Sequence, residues 1–336
     1  MTCERCGRKK VRIGEEKTEE LDIIPSQLFV REIVRGKYAC PCCRKGVTVP
    51  ELPPRPIEKG RPGPGLLAHV VVSKFADHLP LYRQEQIFAR QGVDLPRSTL
   101  CDWISTMGSL LQGIVKEMKR YILKSPVVQS DDTPIQYREN GVEGKTLRGY
   151  IWAYGIPWGE VVYEFRRGRA RAGPLEFFGN YKGYIQTDGF GGYNALFEKE
   201  GVFQIACMAH IRRYFYNALE EAPDEARAIL AGIQKLYRIE REAKAEGITG
   251  SALVELRRER ALPILNSLWE LFEYLKERVR PKSRLGKAVR YALGQWEAIK
   301  RYTEIAEAEI DNNSIENAMR AVVLGRKRPR YSIPWL

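Results

Sequence analysis

The sequence predicts an α/β protein built on a mixed sheet with a large helical insertion, preceded by a small metal-binding module and a helical segment. Three observations carry that reading. Residues 126–206 alternate short β-prone runs with helical ones, residues 211–305 are helical and highly charged with no strand signal, and five of the seven cysteines crowd into the first 43 residues. A chain of 336 residues, 44% of them hydrophobic, can fill a sizeable core in two domains or in one large domain with appendages. It has no run of about 18 apolar residues. Met1-Thr2-Cys3-Glu4-Arg5 carries no apolar signal-peptide core, so a membrane partner is excluded and a cytoplasmic location is expected. A net charge of +13 favours a polyanionic partner, most often nucleic acid, although a basic surface by itself is weak evidence.

Residues 1–49 hold two knuckles, Cys3-Glu-Arg-Cys6 and Cys40-Pro-Cys-Cys43. Four thiolates at this spacing close a tetrahedral zinc site, and the metal supplies the stability that so small a module cannot draw from a core. Cys43 is preferred to Cys42 as the fourth ligand because Cys40-x-x-Cys43 repeats the geometry of Cys3-x-x-Cys6. The prolines and glycines of residues 50–65 bar helix and central strand, which makes this stretch a linker. Residues 66–125 turn helical. Leu67, Val70, Val71, Lys74 and Phe75 share one face, a second helix runs from Leu81 to Arg90, and Ser98 and Thr99 are placed to cap a third that carries Leu100, Trp103, Ile104 and Met107. Helix, Gly92-containing turn and capped helix resemble a helix-turn-helix, with Arg97, Ser98 and Thr99 opening the recognition helix. Leu110 to Leu123 extends it as an amphipathic connector. A plain helical packing module is the competing reading of the same pattern.

Residues 126–336 form the main domain. Val127 to Ser130 reads as a short apolar strand ending in Asp131 and Asp132, and Gly149 to Gly155 and Glu160 to Phe165 as two more joined by a hairpin turn at Ile156-Pro-Trp-Gly159. A basic cluster, Arg166, Arg167, Arg169 and Arg171, precedes a short helix. Tyr184 to Thr187, a helix over Tyr193 to Lys199 and a strand over Val202 to Ala206 follow. Three antiparallel strands, a helix, a strand, a helix and a last strand are the order of an RNase H-like fold. Residues 211–305 then insert several helices broken at Pro223, Gly247, Pro263 and Pro281; their basic residues, Arg257 among them, are candidates for DNA binding, with a solvated charged face the preferred reading for most of them.

The chemistry centres on Asp188, which follows a strand and precedes Gly189, Gly191 and Gly192. Those glycines are expected to leave the space beside its carboxylate free of side chains. An Asp there can also cap the helix beginning near Tyr193. In the order above the strands of Asp131 and Asp188 are neighbours, so two carboxylates meet, and a pair of Mg2+ ions would turn their repulsion into a binding site suited to phosphodiester displacement. A third acid from a packed helix fits Glu316, in a helix that starts over Asp311 to Ser314 and buries Ile315, Met319 and Val322 or Val323; an ordinary Glu316–Arg320 surface pair is the alternative.

Ser130-Asp-Asp-Thr-Pro134, Gln186-Thr-Asp-Gly-Phe-Gly-Gly-Tyr193, Cys207-Met-Ala-His-Ile-Arg-Arg-Tyr-Phe215, Asp311-Asn-Asn-Ser-Ile-Glu-Asn-Ala-Met-Arg320 and Leu324-Gly-Arg-Lys327 together resemble the successive motifs of the insertion-sequence-66 family of bacterial transposases. Leu79 to Glu85 and Ser98 to Trp103 are similar to the segment before that family's catalytic domain. The resemblance covers nearly the whole chain. It implies a DDE triad of Asp131, Asp188 and Glu316 with Mg2+ or Mn2+ as cofactor, besides Zn2+ in the N-terminal module. It also implies double-stranded DNA, element ends and target alike, as partner, with a homo-oligomer assembled on it in the nucleoid and accessory proteins of the same element as further partners. The DNA-binding residues expected are Arg97, Ser98, Thr99, Arg166, Arg167, Arg169, Arg212, Arg213, Arg320, Arg326 and Lys327. Asp132, where the family usually has Glu, is expected to support Asp131. Cys207 and His210 are read as packing or DNA-positioning residues, with metal binding as the lesser alternative, because a zinc site needs two more ligands and the other histidines, His69 and His78, are remote in sequence. Against the family pattern both ends look shortened, at Met1 and after Lys327. Two further readings share these residues: an impaired relative that only binds DNA, and a structure-specific nuclease on the same fold.

Overall fold

The computed structural model describes residues 4–9, 15–22, 27–42, 46–58, 60, 62–138 and 146–326, with Gly325 and Arg326 by their backbone alone. The chain divides into two units, Met1–Pro54 and Arg55–Leu336. In the first, Glu4 to Cys6 and Pro41 to Cys42 form turns, Tyr38 and Thr48 exchange two backbone hydrogen bonds, and Cys6, Cys40 and Cys42 are exposed.

In the second unit the proline that closes the linker starts the first helix, α1 (Pro64–Phe75), where a missing N–H costs nothing. It packs with α2 (Leu81–Arg90) and α3 (Arg97–Ile122) through Leu67, Val70, Phe88, Leu100 and Trp103. One expectation is corrected here. Ser98 and Thr99 do not cap α3: the cap position is Pro96, and Ser98 and Thr99 lie in the first turn with Arg97, whose backbone N–H is taken instead by Glu85 Oε1 at 2.8 Å. The amphipathic extension is part of the same helix: α3 runs for 26 residues through Gly108 and Gly113, and its end, Ile122, reaches the core beneath the sheet.

The sheet has five strands, β1 (Val127–Tyr137), β2 (Leu147–Gly155), β3 (Val161–Arg166), β4 (Gly183–Thr187) and β5 (Val202–Ala206), in the order β3-β2-β1-β4-β5. β1, β2 and β3 are antiparallel; β4 and β5 run parallel to β1. The hairpin turn at Ile156 to Gly159 closes as its sequence indicates, Gly159 N–H donating to Ile156 O at 2.9 Å. β1 does not end at its two acids. Thr133, Ile135 and Tyr137 continue the inward alternation to Tyr137, and Pro134 is tolerated because β1 has there outrun β4 and has an open edge.

One face of the sheet is covered by the end of α3, by α4 (Ala172–Phe178) and by α5 (Asn194–Phe197) over a stack of Trp152, Tyr154, Phe177 and Phe178, the Tyr154 and Phe177 rings lying 3.6 Å apart. Opposite lie α6 (Met208–Ala218), α7 (Pro223–Ala245), α9 (Leu262–Lys276) and α10 (Arg284–Gly294), which share one core with Val127 and Ile205 of the sheet. The last helix, α12 (Asn313–Arg326), sets Ile315 and Met319 on Ala153 of that same face. The helical block shows two further corrections. Helix is continuous from α8 (Gly250–Leu256) through α9, so Pro263 does not break it: a π-helical turn at Arg257–Ala261 absorbs the hydrogen bond that proline cannot make. That turn carries Arg257 inward. Far from being solvated, it is 2% exposed, paired with Glu240 at 2.7 Å and donating to the carbonyls of Tyr302, Ile305 and Ala308. The short α11 (Trp296–Lys300) completes the block. No helix among the described residues is long and apolar enough to cross a membrane.

Candidate active site

The pairing of β1 with β4 sets the site. Gln129 is the register partner of Gln186, and Asp131 and Asp188 each lie two residues beyond that pair. A period of two puts each acid on the same face as its glutamine. Both glutamines are fully buried and bonded to each other, Gln129 Nε2 to Gln186 Oε1 at 2.8 Å. Their remaining bonds go to the approach of α12: Gln129 Nε2 donates to Asp311 O at 3.2 Å and Gln186 Nε2 to Glu309 O at 2.6 Å. Gln129 Oε1 accepts from Ser314 Oγ and from the Ile315 N–H. A strand glutamine thus does the work of a cap for α12 and fixes its start over the two acids. The helical block adds a second tether, Tyr237 Oη donating to Asp311 Oδ2 at 2.7 Å.

Glu316 falls in the first turn of α12 and is half-buried. Its ion-pair distance is to His210 Nδ1, 3.8 Å from Oε1, and not to Arg320, which is exposed. Burial pushes the Asp131 carboxyl up to about 7; the neighbouring charges of Glu316, Asp188 and Asp132 push the same way, and a hydrogen bond from the Asp132 N–H opposes them. Burial also raises Asp132, against the pull of Arg169, whose Nε bonds both carboxylate oxygens at 2.8 and 2.9 Å. Arg169 Nη2 lies 4.0 Å from Asp188 Oδ2, and its guanidinium covers the Phe190 ring at 3.7 Å.

Asp188 follows the last residue of β4, as its sequence indicates. It is not a helix cap: Oδ1 accepts the Phe190 N–H at 3.1 Å in a local turn. Of the glycines beside it, Gly191 has room for a side chain, but Gly189 and Gly192 do not. A Cβ on Gly189 would stand 2.7 Å from the Tyr291 ring, and one on Gly192 would collide with the Phe190 ring. These glycines let aromatic walls close on the carboxylate.

The expected site residues divide as follows. Asp131, Asp188 and Glu316 are brought together. Arg97, Ser98, Arg167, Arg212, Arg213 and Arg320 are exposed and Thr99 is half-buried. Arg166 is held by Glu164 at 2.9 Å and Glu176 at 2.5 Å, and Arg169 by Asp132. Arg326 ends α12, and Cys3, Cys43 and Lys327 lie outside the described residues. Cys207 and His210 are not remote from other ligands: among the described residues, Cys207, His210 and Glu316 bring their ligand atoms within 4.8 Å of one another. Gln129 and Gln186 escape motif reading, although the repeat Gln-x-Asp at 129–131 and 186–188, a buried amide two residues before each acid, is a signal for them.

A family model described as "Transposase IS66 family" matches residues 59–331, and one described as "zinc-finger binding domain of transposase IS66" matches residues 1–44. The chain belongs to the IS66 transposase family. Similar proteins of Sinorhizobium fredii (strain NBRC 101917 / NGR234) include "Uncharacterized protein y4qI", 34% identical over 97% of this chain, and "Uncharacterized protein y4jD", 32% identical over 98% of it. This IS66-family chain spans 63% and 67% of the length of those curated relatives.

Proposed function

We propose that this chain is a DDE-type DNA transposase whose RNase H-like sheet and last helix present Asp131, Asp188 and Glu316 to two Mg2+ or Mn2+ ions. The observation that carries the reading is the level placement of Asp131 and Asp188 two residues beyond the bonded Gln129–Gln186 pair, with the helix of Glu316 fastened to those same glutamines. Three carboxylates, one of them pushed up to about 7, are a hard oxygen donor set that fits a magnesium-class ion. Bound there, the ions supply Lewis acidity to the phosphoryl oxygen and lower the pKa of an attacking water or 3′-hydroxyl. Asp131 must release its proton before the site carries its full negative charge. Arg169 neutralises Asp132, so that the adjacent acid does not compete for the cation. The aromatic walls at Phe190 and Tyr291 limit water around Asp188.

The reaction proposed is hydrolysis at an element end followed by attack of the freed 3′-hydroxyl on target DNA. Arg97, Ser98, Thr99, Arg167, Arg212, Arg213 and Arg320, with Arg326 and Lys327, serve phosphate contacts, while Arg166 and Arg169 act mainly inside the protein. Cys3, Cys6, Cys40 and Cys43 are the proposed ligands of a zinc ribbon: the donor set is all thiolate, and both Cys6 and Cys40 adjoin turns. A DNA-bound homo-oligomer in the cytoplasm belongs to the same reading.

The test is cleavage of supercoiled plasmid carrying the element's ends, with Mg2+ or Mn2+. The native chain should nick it and Asp188→Asn should not. Nicking that survives Asp188→Asn overturns the assignment, and cutting without joining or end preference points to a nuclease.

A further inference from the structure

Among the described residues, a cluster of three metal-ligating side chains lies where β5 gives way to α6, and it shares Glu316 with the proposed catalytic acids. Cys207 occupies the cap position of α6 and His210 its first turn. The Cys-x-x-His spacing therefore sets thiol and imidazole side by side at one helix end, and Glu316 of α12 closes the third corner.

We propose that Cys207, His210 and Glu316 bind a zinc-class divalent cation, at a site separate from the N-terminal cysteine module and with one coordination position left for water or a phosphate oxygen. The donor chemistry argues for this class. One sulfur, one imidazole nitrogen and one carboxylate oxygen suit Zn2+ or Co2+ and are a poor set for Mg2+, which takes oxygen ligands. Three protein ligands with an open fourth position is the arrangement of reactive zinc sites.

The geometry agrees. The separation of His210 Nδ1 and Glu316 Oε1, 3.8 Å, is too long for a hydrogen bond. It is close to the roughly 3.3–3.6 Å that separates two ligands of one tetrahedral zinc at ordinary bond lengths. His210 Nδ1 is buried without a hydrogen-bond partner although a carboxylate faces it. A buried imidazole nitrogen in that state needs an explanation, and a bound cation supplies one. Two backbone N–H groups face the sulfur: Asn312 N–H donates to Cys207 Sγ at 3.5 Å, and the His210 N–H points at it too. Asn312 itself is wholly buried and leaves both side-chain amide atoms without partners.

The consequence is a link between two metal chemistries. Glu316 has two oxygens; Oε1 is the one beside His210, while the Asp131 carboxyl feels the charge of the same residue. A cation held by Cys207 and His210 fixes the rotamer of Glu316. The claim stands on ligand geometry and does not depend on the catalytic reading.

Zinc content and Co2+ spectra of the full chain test it. The double variant Cys6→Ser/Cys40→Ser removes one thiolate from each knuckle of the N-terminal module and leaves it two of its four ligands, too few to hold zinc through exhaustive dialysis, after which the chain should retain about one zinc. Adding Cys207→Ser, or separately His210→Gln, should lower that to the level of a buffer control and abolish the thiolate-to-cobalt charge-transfer band. Because Cys207 is buried, His210→Gln, at a side chain that is 20% exposed, guards against a folding artefact: its melt in EDTA should match its parent's, and only the stabilisation on adding Zn2+ should disappear. Asp188→Asn should keep the zinc while losing plasmid cleavage, which separates failure of this site from failure of the catalytic assignment. A Cys6→Ser/Cys40→Ser chain without zinc above control, or zinc retention unchanged by His210→Gln and Cys207→Ser, overturns the proposal.

Discussion

Asp131 is the residue on which the electrostatics turn. Its carboxyl, ordinarily near 3.8, is pushed up to about 7 by burial, with Glu316, Asp188 and Asp132 adding to the shift. Between those two values the folded chain holds a proton that the unfolded chain has released. Without a cation, stability must therefore fall as pH rises from about 4 to about 7, by up to roughly 1.4 kcal/mol per pH unit from this group. Asp131→Asn carries no such proton. In melts with EDTA, its stability relative to the native chain should climb across that window, and Mg2+ at pH 7.5 should narrow the gap; a pH-independent difference would contradict the account. Gln129 is the second residue with a definite prediction. Gln129→Leu strands the Ile315 N–H, the Ser314 hydroxyl and the Gln186 side chain, at about 1–3 kcal/mol for each buried group left unpaired. Amide exchange at the start of α12 should accelerate well before exchange in β2 does. The two acids could be read from their motifs, but the glutamines that level them could not, because a buried amide becomes visible only when its partners, 57 and 185 residues away, are in place.

At the scale of elements, periodicity and turn chemistry located β2, β3, β4 and β5 to within two residues, because each is bounded by glycine, proline or a hairpin. β1 ran on past its acids for a different reason: pairing with β2 continues to Tyr137, and long-range pairing overrides the local look of two aspartates. The π-helical turn was equally hidden. Read locally, Pro263 breaks a helix; in the fold one extra residue per turn keeps the helix and delivers Arg257 to the carbonyls that lead into α12. That clamp is a buried ion pair, and removing one partner leaves the other uncompensated. Glu240→Gln should cost about 3–5 kcal/mol in urea unfolding, far more than Glu255→Gln, whose partner Arg258 is exposed. Equal costs would mean that the clamp does not hold the block together.

For the whole molecule, the sheet order brings residues 131, 188 and 316 to one end of three elements, and the helical block between β5 and α12 closes that end with Tyr291 and Tyr237. That β1 and β4 are neighbours was legible because a hairpin, then a helix, a strand, a helix and a strand follow β1 in a recognisable order. The contribution of the block was not, since nothing in a charged helical sequence says which tyrosine will face an acid. The same limit applied to Cys207 and His210, whose third neighbour lies in the last helix. The most direct measurement of the central claim is strand joining by a pre-cut element end, followed in single turnover with Mn2+ for the native chain and for Asp131→Asn, Asp188→Asn and Glu316→Gln. Each substitution should lower the joining rate on the order of a thousandfold while leaving binding of the DNA end intact. Joining at the native rate by any one of the three would contradict the assignment of these carboxylates as the catalytic centre.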